Sequence, residues 1–429
     1  MNIFHLCNMR FKNIVFCSPS MITGGAEYYF IRLAHYLAEN HKEYKVYYTE
    51  YKNGFIYKVL NSSNIEILDY RKGEKTIIPE DSIIFIPSNF IIHIDDMINY
   101  NPSNSIISIG FVHFKHFLVY FSMDNYYKVT KKYRRKVGNA FEKMTKMGTL
   151  FYLGHLGYIK LTQQFLFPQD QSFHLVPIPV PVDKYGIDYP LTRQIGDIIH
   201  FCWLGRLDKE KSRNILTYMN ELESLNQTMR VSLSLIGLGP EENKLRKKSN
   251  KYSYPIEFIG EKRENELDIF IRNNVDIGLA SGTSSIEFGL RKVPVIQEWI
   301  IDKVYNANIR DTYHLLNEMD NFQDITDNSY RLEGQDYFAK KVEMILKNYH
   351  DVCEASYKKA MSKSPEKCGE SFVSLINNLQ SVDIVESYKY LRKAQQLTKA
   401  AWHNWMKILH LRRLYVPICK LLGVQQAVF

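Results

Sequence analysis

Two series of short apolar runs, each alternating with helix-like stretches, set the strongest limit on what this chain can become. The first begins at KNIVFCS (12–18) and continues through YKVYYTEY (44–51), SIIFIPS (82–88), SIISIGFVHF (105–114) and TLFYLGH (149–155). The second begins at IIHFCWLGRL (198–207) and continues through VSLSLIGLG (231–239), IEFIG (256–260), IGLA (277–280) and VPVI (293–296). Stretches of helical character separate them: GGAEYYFIRLAHYLAEN after the first run, then 212–225, a helix after Pro240, and 264–274. Strands that are apolar throughout and alternate with helices predict parallel sheets covered on both faces. Between the series, residues 168–190 hold Pro168, Pro177, Pro179, Pro181 and Pro190, which block both helix and central strand, so the domain boundary is expected there. The expected division is 1–190, 191–365, and a helical region with a basic tail over 366–429.

The 429 residues suffice for two domains of about 200 residues each. The six cysteines are scattered without a C-x-x-C pair, which is neither a disulfide framework nor a zinc site and fits a reducing cytoplasm. Arg10 and Lys12 interrupt the apolar residues of the N-terminus, which therefore reads neither as a signal peptide nor as a membrane span. The net charge of +9 is uneven. Residues 387–429 carry eight Lys or Arg and no Asp or Glu; residues 124–147 carry eight against Asp124 and Glu142. Two basic segments on a mildly acidic body point to a local anionic partner.

The stretch DIGLASGTSSIEFGLRKVPVI (276–296) concentrates the candidate chemistry. A strand, a turn of small residues and a helix start make an anion site, because the first backbone N–H groups of a helix are unpaired and its dipole favours negative charge. Gly282 keeps that backbone clear, Thr283 and Ser284 offer it, and Glu287, one turn in, can accept two hydroxyl hydrogen bonds as from a ribose diol. Ser284 to Glu287 can equally form a capping box, with Glu287 reaching back to its own helix start. In GRLDKEKS (205–212), Arg206 and Lys211 flank a turn at a strand end, where two cations can neutralise a diphosphate; a solvated turn is the alternative. GGAE and GLG lack the G-x-G-x-x-G spacing, so hydride chemistry is not expected.

Taken together, GRLDKEK, IGLGPEENKL (236–245), FIGEKRENELDIFIRNNVDIGLASG (258–282) and IEFGLRKVPVI (286–296) resemble glycosyltransferase family 4. GGAEYYFIRLAHYL and LVPIPVPVDKYGI resemble that family's acceptor-side helix and interdomain segment, so the likeness spans roughly residues 12 to 300. It implies the α/β GT-B fold: two Rossmann-like domains with parallel sheets facing across a cleft, followed here by a basic amphipathic helical tail. It also implies that Arg206 and Lys211 bind a nucleotide diphosphate, that Gly282, Thr283 and Ser284 face the phosphates, and that Glu287 binds the ribose. The loop from Gly260 to Arg263 would lie by the base, Gly24 and Gly25 by the sugar. His113 matches the family's first-domain histidine, with His116 as the competing candidate. One departure matters: the earlier of the family's two glutamates, eight positions before Glu287, falls on Leu279. Ser281, Thr283 or a backbone carbonyl would have to replace it.

In the tail, Lys389, Arg392, Lys399, His403, Lys407 and His410 share one helical face. Leu397, Ala401, Trp402, Trp405, Ile408 and Leu409 share the other. That division fits a helix lying on an anionic membrane over 388–415, assisted by 124–147, or a helix packed on the protein's own body. No nucleic-acid motif accompanies the charge. The resulting expectation is a retaining glycosyltransferase, with Arg206, Lys211 and His113 as catalytic residues and no metal or cofactor. It would move a sugar from a uridine-linked nucleotide diphosphate to a glycan or lipid-linked acceptor at the inner face of the cell membrane. The alternatives are a GT-B sugar-nucleotide epimerase and a non-catalytic partner subunit that binds nucleotide and membrane.

Overall fold

A computed structural model of the chain describes residues 9–20, 25–52, 54–60, 64–112, 131–169, 173–180, 195–262, 264–280, 282–299, 312–318 and 338–421. The chain divides into two units, Met1–Pro179 with Cys368–Phe429, and Val180–Lys367.

The first unit contains β1 (Asn13–Cys17), β2 (Lys45–Tyr51), β3 (Glu66–Tyr70), β4 (Thr76–Ile77), β5 (Ser82–Pro87), β6 (Ile98–Asn99), β7 (Ile106–Phe111), β8 (Leu150–Tyr152) and β9 (His174–Leu175). Seven of these form one sheet in the order β3-β2-β1-β5-β7-β8-β9, while β4 pairs with β6 apart from it. All pairings in the large sheet are parallel. Every residue of β5 and β7 is buried, as strands covered on both faces require.

Period-two alternation sorts the side chains of that sheet into two cores. Val15, Cys17, Ile84, Ile86, Ile107 and Ile109 join Val137, Phe141 and Met144 of the helix Lys131–Lys146. Ile14, Phe16, Ile83 and Phe85 join Tyr29, Phe30 and Leu33 of the helix Gly25–Asn40, with Phe372 and Leu375 of the helix Pro365–Gln380. Each large apolar side chain buried this way contributes about 1.5–3 kcal/mol. Gln380 then bridges to the chain's beginning, accepting from the Phe11 N–H at 2.9 Å and donating to the Phe11 carbonyl at 3.0 Å.

The long helix Ile384–Leu421 also belongs to this unit. Leu391 and Ala394 enter the first core, with Leu397, Ala401 and Trp402 packed beside them. Arg392 reaches both oxygens of Asp95 at 2.6 and 2.7 Å, and Lys399 reaches Oδ2 at 3.3 Å. The Tyr133 hydroxyl donates to the Leu397 carbonyl. Over 391–402 the apolar face expected to meet a membrane is therefore turned onto the protein's own body, and two cations of the basic face are held by Asp95. Trp405, Lys407, Ile408, Leu409 and His410 lie beyond the described side chains, and 124–130 lie outside the described residues. Among the described residues, no helix is long and apolar enough to cross a membrane.

The second unit contains β10 (Ile199–Leu204), β11 (Val231–Ile236), β12 (Ile256–Gly260), β13 (Ile277–Leu279), β14 (Val295–Trp299) and β15 (Thr312–Leu315). They are ordered β12-β11-β10-β13-β14-β15, all parallel except β15, which runs antiparallel to β14. Phe201, Trp203, Leu235 and Leu279 point to one face, against Ile215, Tyr218 and Leu222 of the helix Lys209–Leu225. Cys202, Ile236 and Val295 point to the other, against Ile271 of the helix Glu264–Asn274 and Ile286, Phe288 and Leu290 of the helix Thr283–Leu290.

Candidate functional site

The strand order of the second unit reverses between β10 and β13. These two strands are direct parallel neighbours, with Trp203 opposite Leu279. The helix that follows β10 covers one face of the sheet and the helix that follows β13 covers the other. Their connecting loops therefore diverge from adjacent strand ends and leave a crevice at the carboxyl edge, the place where open α/β sheets bind ligands. Both loops carry residues singled out by their sequence.

On the β10 side, Asp208 organises the loop. Its Oδ1 accepts from the Lys211 backbone N–H at 2.9 Å and so caps the helix, while Oδ2 lies 3.3 Å from the Arg206 guanidinium. Arg206 is about two-thirds exposed (67%), so its charge projects from the loop. Lys211 is half-buried in the first turn of the helix. Sequence reasoning assigned Asp208 no role, yet an aspartate immediately before a helical run is an N-cap signal.

The floor under this loop is backbone packed on backbone. Leu207 donates to the Leu238 carbonyl at 3.0 Å, Glu241 donates to the Leu207 carbonyl at 2.9 Å, and Gly237 donates to the Gly260 carbonyl at 2.8 Å. A Cβ on Gly239 would meet the Leu207 carbonyl oxygen at 2.3 Å. The GLG stretch is thus a close-approach device that locks the ends of β10, β11 and β12 together. Gly260, with φ +79°, has open space where a side chain would stand. Leu238, between the two glycines, is an exposed apolar side chain (54%) beside them that the sequence did not single out.

On the β13 side, Gly282 is the N-cap of the helix Thr283–Leu290, with φ +68° and no atom within 4 Å of a would-be Cβ. That φ, rather than crowding, is what calls for glycine. The Ser285 hydroxyl donates to the Gly282 carbonyl at 2.6 Å. The N–H groups of Thr283 and Ser284 have no acceptor among the described residues.

Glu287 does not close a capping box. With Gly282 as N-cap, the third helical position is Ser285, and Glu287 lies two residues too far along to reach back. Its Oε2 instead accepts from Arg291 at 2.8 Å, one turn further into the helix. Oε1 has no hydrogen-bond partner among the described residues, and the side chain is partly exposed (29%). Leu279 is wholly buried in the core beside Trp203. The position matching the family's earlier glutamate is thus a core position, where an unpaired carboxylate would be costly.

Arg206 and Lys211 thus stand in the loop and first turn after β10, Gly282, Thr283, Ser284 and Glu287 in the turn and helix after the adjacent β13, and Gly260 at the end of β12. Arg263 and Ser281 lie outside the described residues. In the first unit Gly25 opens the helix Gly25–Asn40, while Gly24, His113 and His116 lie outside the described residues. Among the described residues, no group of three or more His, Cys, Asp or Glu is placed to hold a metal ion.

No family model and no curated protein matches the sequence. Solved structures do. The N-terminal domain of trehalose-6-phosphate phosphatase from Candida albicans aligns with a TM-score of 0.51, covering 86% of this chain and 97% of that one at 12% identity. The lipopolysaccharide outer core galactosyltransferase WaaB aligns with a TM-score of 0.50 over 85% of this chain and 99% of its own, at 11% identity. A glycosyltransferase from Rickettsia africae covers 91% and 98%, at 14% identity and a TM-score of 0.49. Identities this low speak to fold alone. The class that the first two, with TM-scores of 0.51 and 0.50, support is α/β with two Rossmann-like units built on parallel sheets. That architecture is GT-B, as the motifs predicted.

Proposed function

We propose that this chain is a glycosyltransferase, of the family 4 type its motifs resemble, which takes a nucleoside diphosphate sugar as donor. The observation that carries the proposal is the juxtaposition at the β10–β13 switch point. A loop with two cations, Arg206 and Lys211, emerges beside a helix start whose Thr283 and Ser284 N–H groups have no acceptor among the described residues. When the bond between the sugar's anomeric carbon and the diphosphate breaks, its electron pair leaves with the phosphate oxygen. Cations and N–H dipoles fixed beforehand stabilise that developing charge without reorganisation. The acceptor oxygen bonds to the anomeric carbon, and its proton passes to the departing phosphate oxygen. Glu287 receives the ribose hydroxyls through Oε1, and Gly260 lies by the base; the family resemblance assigns Arg263 to the base and Gly24, Gly25 and His113 to the sugar.

Uridine as the base, a hexose or N-acetylhexosamine as the sugar, and a glycan or lipid-linked acceptor complete the proposal, with retention at the anomeric carbon. A cytoplasmic, peripheral position on the membrane is supported by the charge of the tail, through the residues beyond Trp402 and the exposed Lys389 and Lys393. Burial of Leu279 favours one second reading, a non-catalytic partner subunit, because the usual carboxylate contact to the donor sugar has no counterpart there.

The test is a thermal-shift screen across nucleotides and sugar nucleotides, followed by acceptor-dependent release of nucleoside diphosphate. Stabilisation by one diphosphate series, absent in Arg206→Ala, is the expected result. No shift with any nucleotide would overturn the proposal. Donor binding without turnover across a broad acceptor panel would favour the partner subunit, and turnover without any acceptor the epimerase.

A further inference from the structure

Arg291 is a buried guanidinium (2% exposed) with carboxylates on two different helices. Its Nε and Nη2 meet Asp268 Oδ1 at 2.6 and 2.5 Å, and its Nη1 meets Glu287 Oε2 at 2.8 Å and the Glu287 carbonyl at 2.7 Å. Asp268 belongs to the helix Glu264–Asn274, which follows the loop after Gly260, whereas Glu287 belongs to the helix that follows β13. One planar side chain thus ties together the two elements that would hold the two halves of a nucleoside. The guanidinium plane is fixed from the Asp268 side. It engages one Glu287 oxygen, Oε2, while Oε1 has no hydrogen-bond partner among the described residues.

We infer that Arg291 is a positioning residue: clamped by Asp268, it sets the direction of the Glu287 carboxylate and thereby the protein's preference for a ribose over a 2′-deoxyribose nucleotide. The inference rests on the nucleotide reading above. An isolated glutamate on a partly exposed helix face samples several rotamers, and its hydrogen bonds to a diol would be paid back in lost freedom. A carboxylate already held by a charged, planar fork loses little more on binding. Arg291 also offsets the repulsion between Glu287 and a neighbouring diphosphate. Lysine could not replace it, since a point charge cannot span two carboxylates with fixed geometry.

The experiment measures, by calorimetry, affinities for UDP, GDP and ADP, each beside its 2′-deoxy form, for the wild type, Arg291→Met, Asp268→Asn and Glu287→Gln. Methionine is chosen because it fills the space of the arginine stem without its charge, and the two carboxylates it leaves, Asp268 (21% exposed) and Glu287 (29%), can be solvated. The wild type is expected to favour the ribo form of its preferred base by about tenfold, the scale of one charge-assisted hydrogen bond. Arg291→Met and Asp268→Asn are each expected to lower that ratio to about twofold or less, and Arg291→Met should add nothing in a Glu287→Gln background. Asp268, partly exposed (21%), carries the test if Arg291→Met does not fold. A wild-type ratio retained in both variants, with only the unfolding temperature lowered, would make the cluster purely structural and overturn the inference. A wild type that binds none of the diphosphates would instead overturn the nucleotide reading, and this inference with it.

Discussion

A Cβ added to Gly237 would lie 2.1 Å from the carbonyl oxygen of Gly205, and Gly237 itself has φ +138°. The two loops that leave β10 and β11 are therefore pressed backbone to backbone at the edge where Arg206 stands. Gly237→Ala should cost on the order of 1–3 kcal/mol of stability, from left-handed strain and the forced shift of a carbonyl. It should also weaken nucleotide binding, because Arg206 directly follows Gly205. Denaturant unfolding and calorimetry check the two effects separately. A variant with wild-type unfolding would mean that the loops part easily.

Glu287→Gln should weaken binding of the preferred nucleoside diphosphate by about ten- to a hundredfold, the scale of a charge-assisted hydrogen bond. Since Glu287 does not cap its helix, unfolding should change far less than loss of a cap would bring. Calorimetry beside thermal unfolding decides. Unchanged affinity with a large loss of stability would reverse the assignment.

Arg206→Ala should leave stability within about 0.5 kcal/mol of wild type, because an exposed ion pair contributes little. Its effect should fall on ligands with two phosphates more than on those with one, and it should flatten the dependence of affinity on salt. Titrations of mono- and diphosphates at two ionic strengths measure this. Equal loss for both would remove the diphosphate role.

Asp95 makes the docking of the last helix sensitive to acid. Partial burial by itself would raise its carboxyl, but hydrogen bonds and charge from Arg392 and Lys399 outweigh this and hold it below its ordinary value. A carboxyl depressed in the folded state contributes stability that is complete above its unfolded value, about pH 4, and lost as pH falls through the lower folded one. Asp95→Asn should therefore reduce stability at neutral pH and narrow its difference from wild type as the pH drops below about 4. Urea midpoints across that range test the sign. A gap that widens in acid would refute it.

Removing residues 404–429 should lower binding to anionic vesicles at low salt while leaving the first unit folded, since, among the described residues, this helix enters the core at Leu391 and Ala394, with Leu397, Ala401 and Trp402 beside them. Co-sedimentation with phosphatidylserine vesicles measures it. Undiminished binding would move the membrane surface elsewhere or end the idea.

The strands readable from sequence were those buried on both faces, such as β5 and β7, whose apolar runs are unbroken. Glu66–Tyr70 escaped notice because it is an edge strand: Glu66 and Asp69 are exposed, and only pairing with β2 makes it a strand. The candidate site was legible in part because its signals are local. Arg206, Lys211 and Gly282 announce themselves through local turn chemistry, and Asp208 could have been found by its capping position. Arg291 could not, since nothing near it in sequence says that Asp268 stands across from it.

What the sequence determined alone was therefore local: the alternation that demands two covered parallel sheets, the glycines that turns require, and the cations and small residues that end β10 and β13. What only the tertiary structure decided was the partnership of groups far apart along the chain. Arg291 meets Asp268 on another helix, and the last helix holds Arg392 and Lys399 against Asp95. Backbone preferences act within a turn or two of helix, whereas an ion pair between residues hundreds of positions apart exists only once the topology has brought their elements side by side.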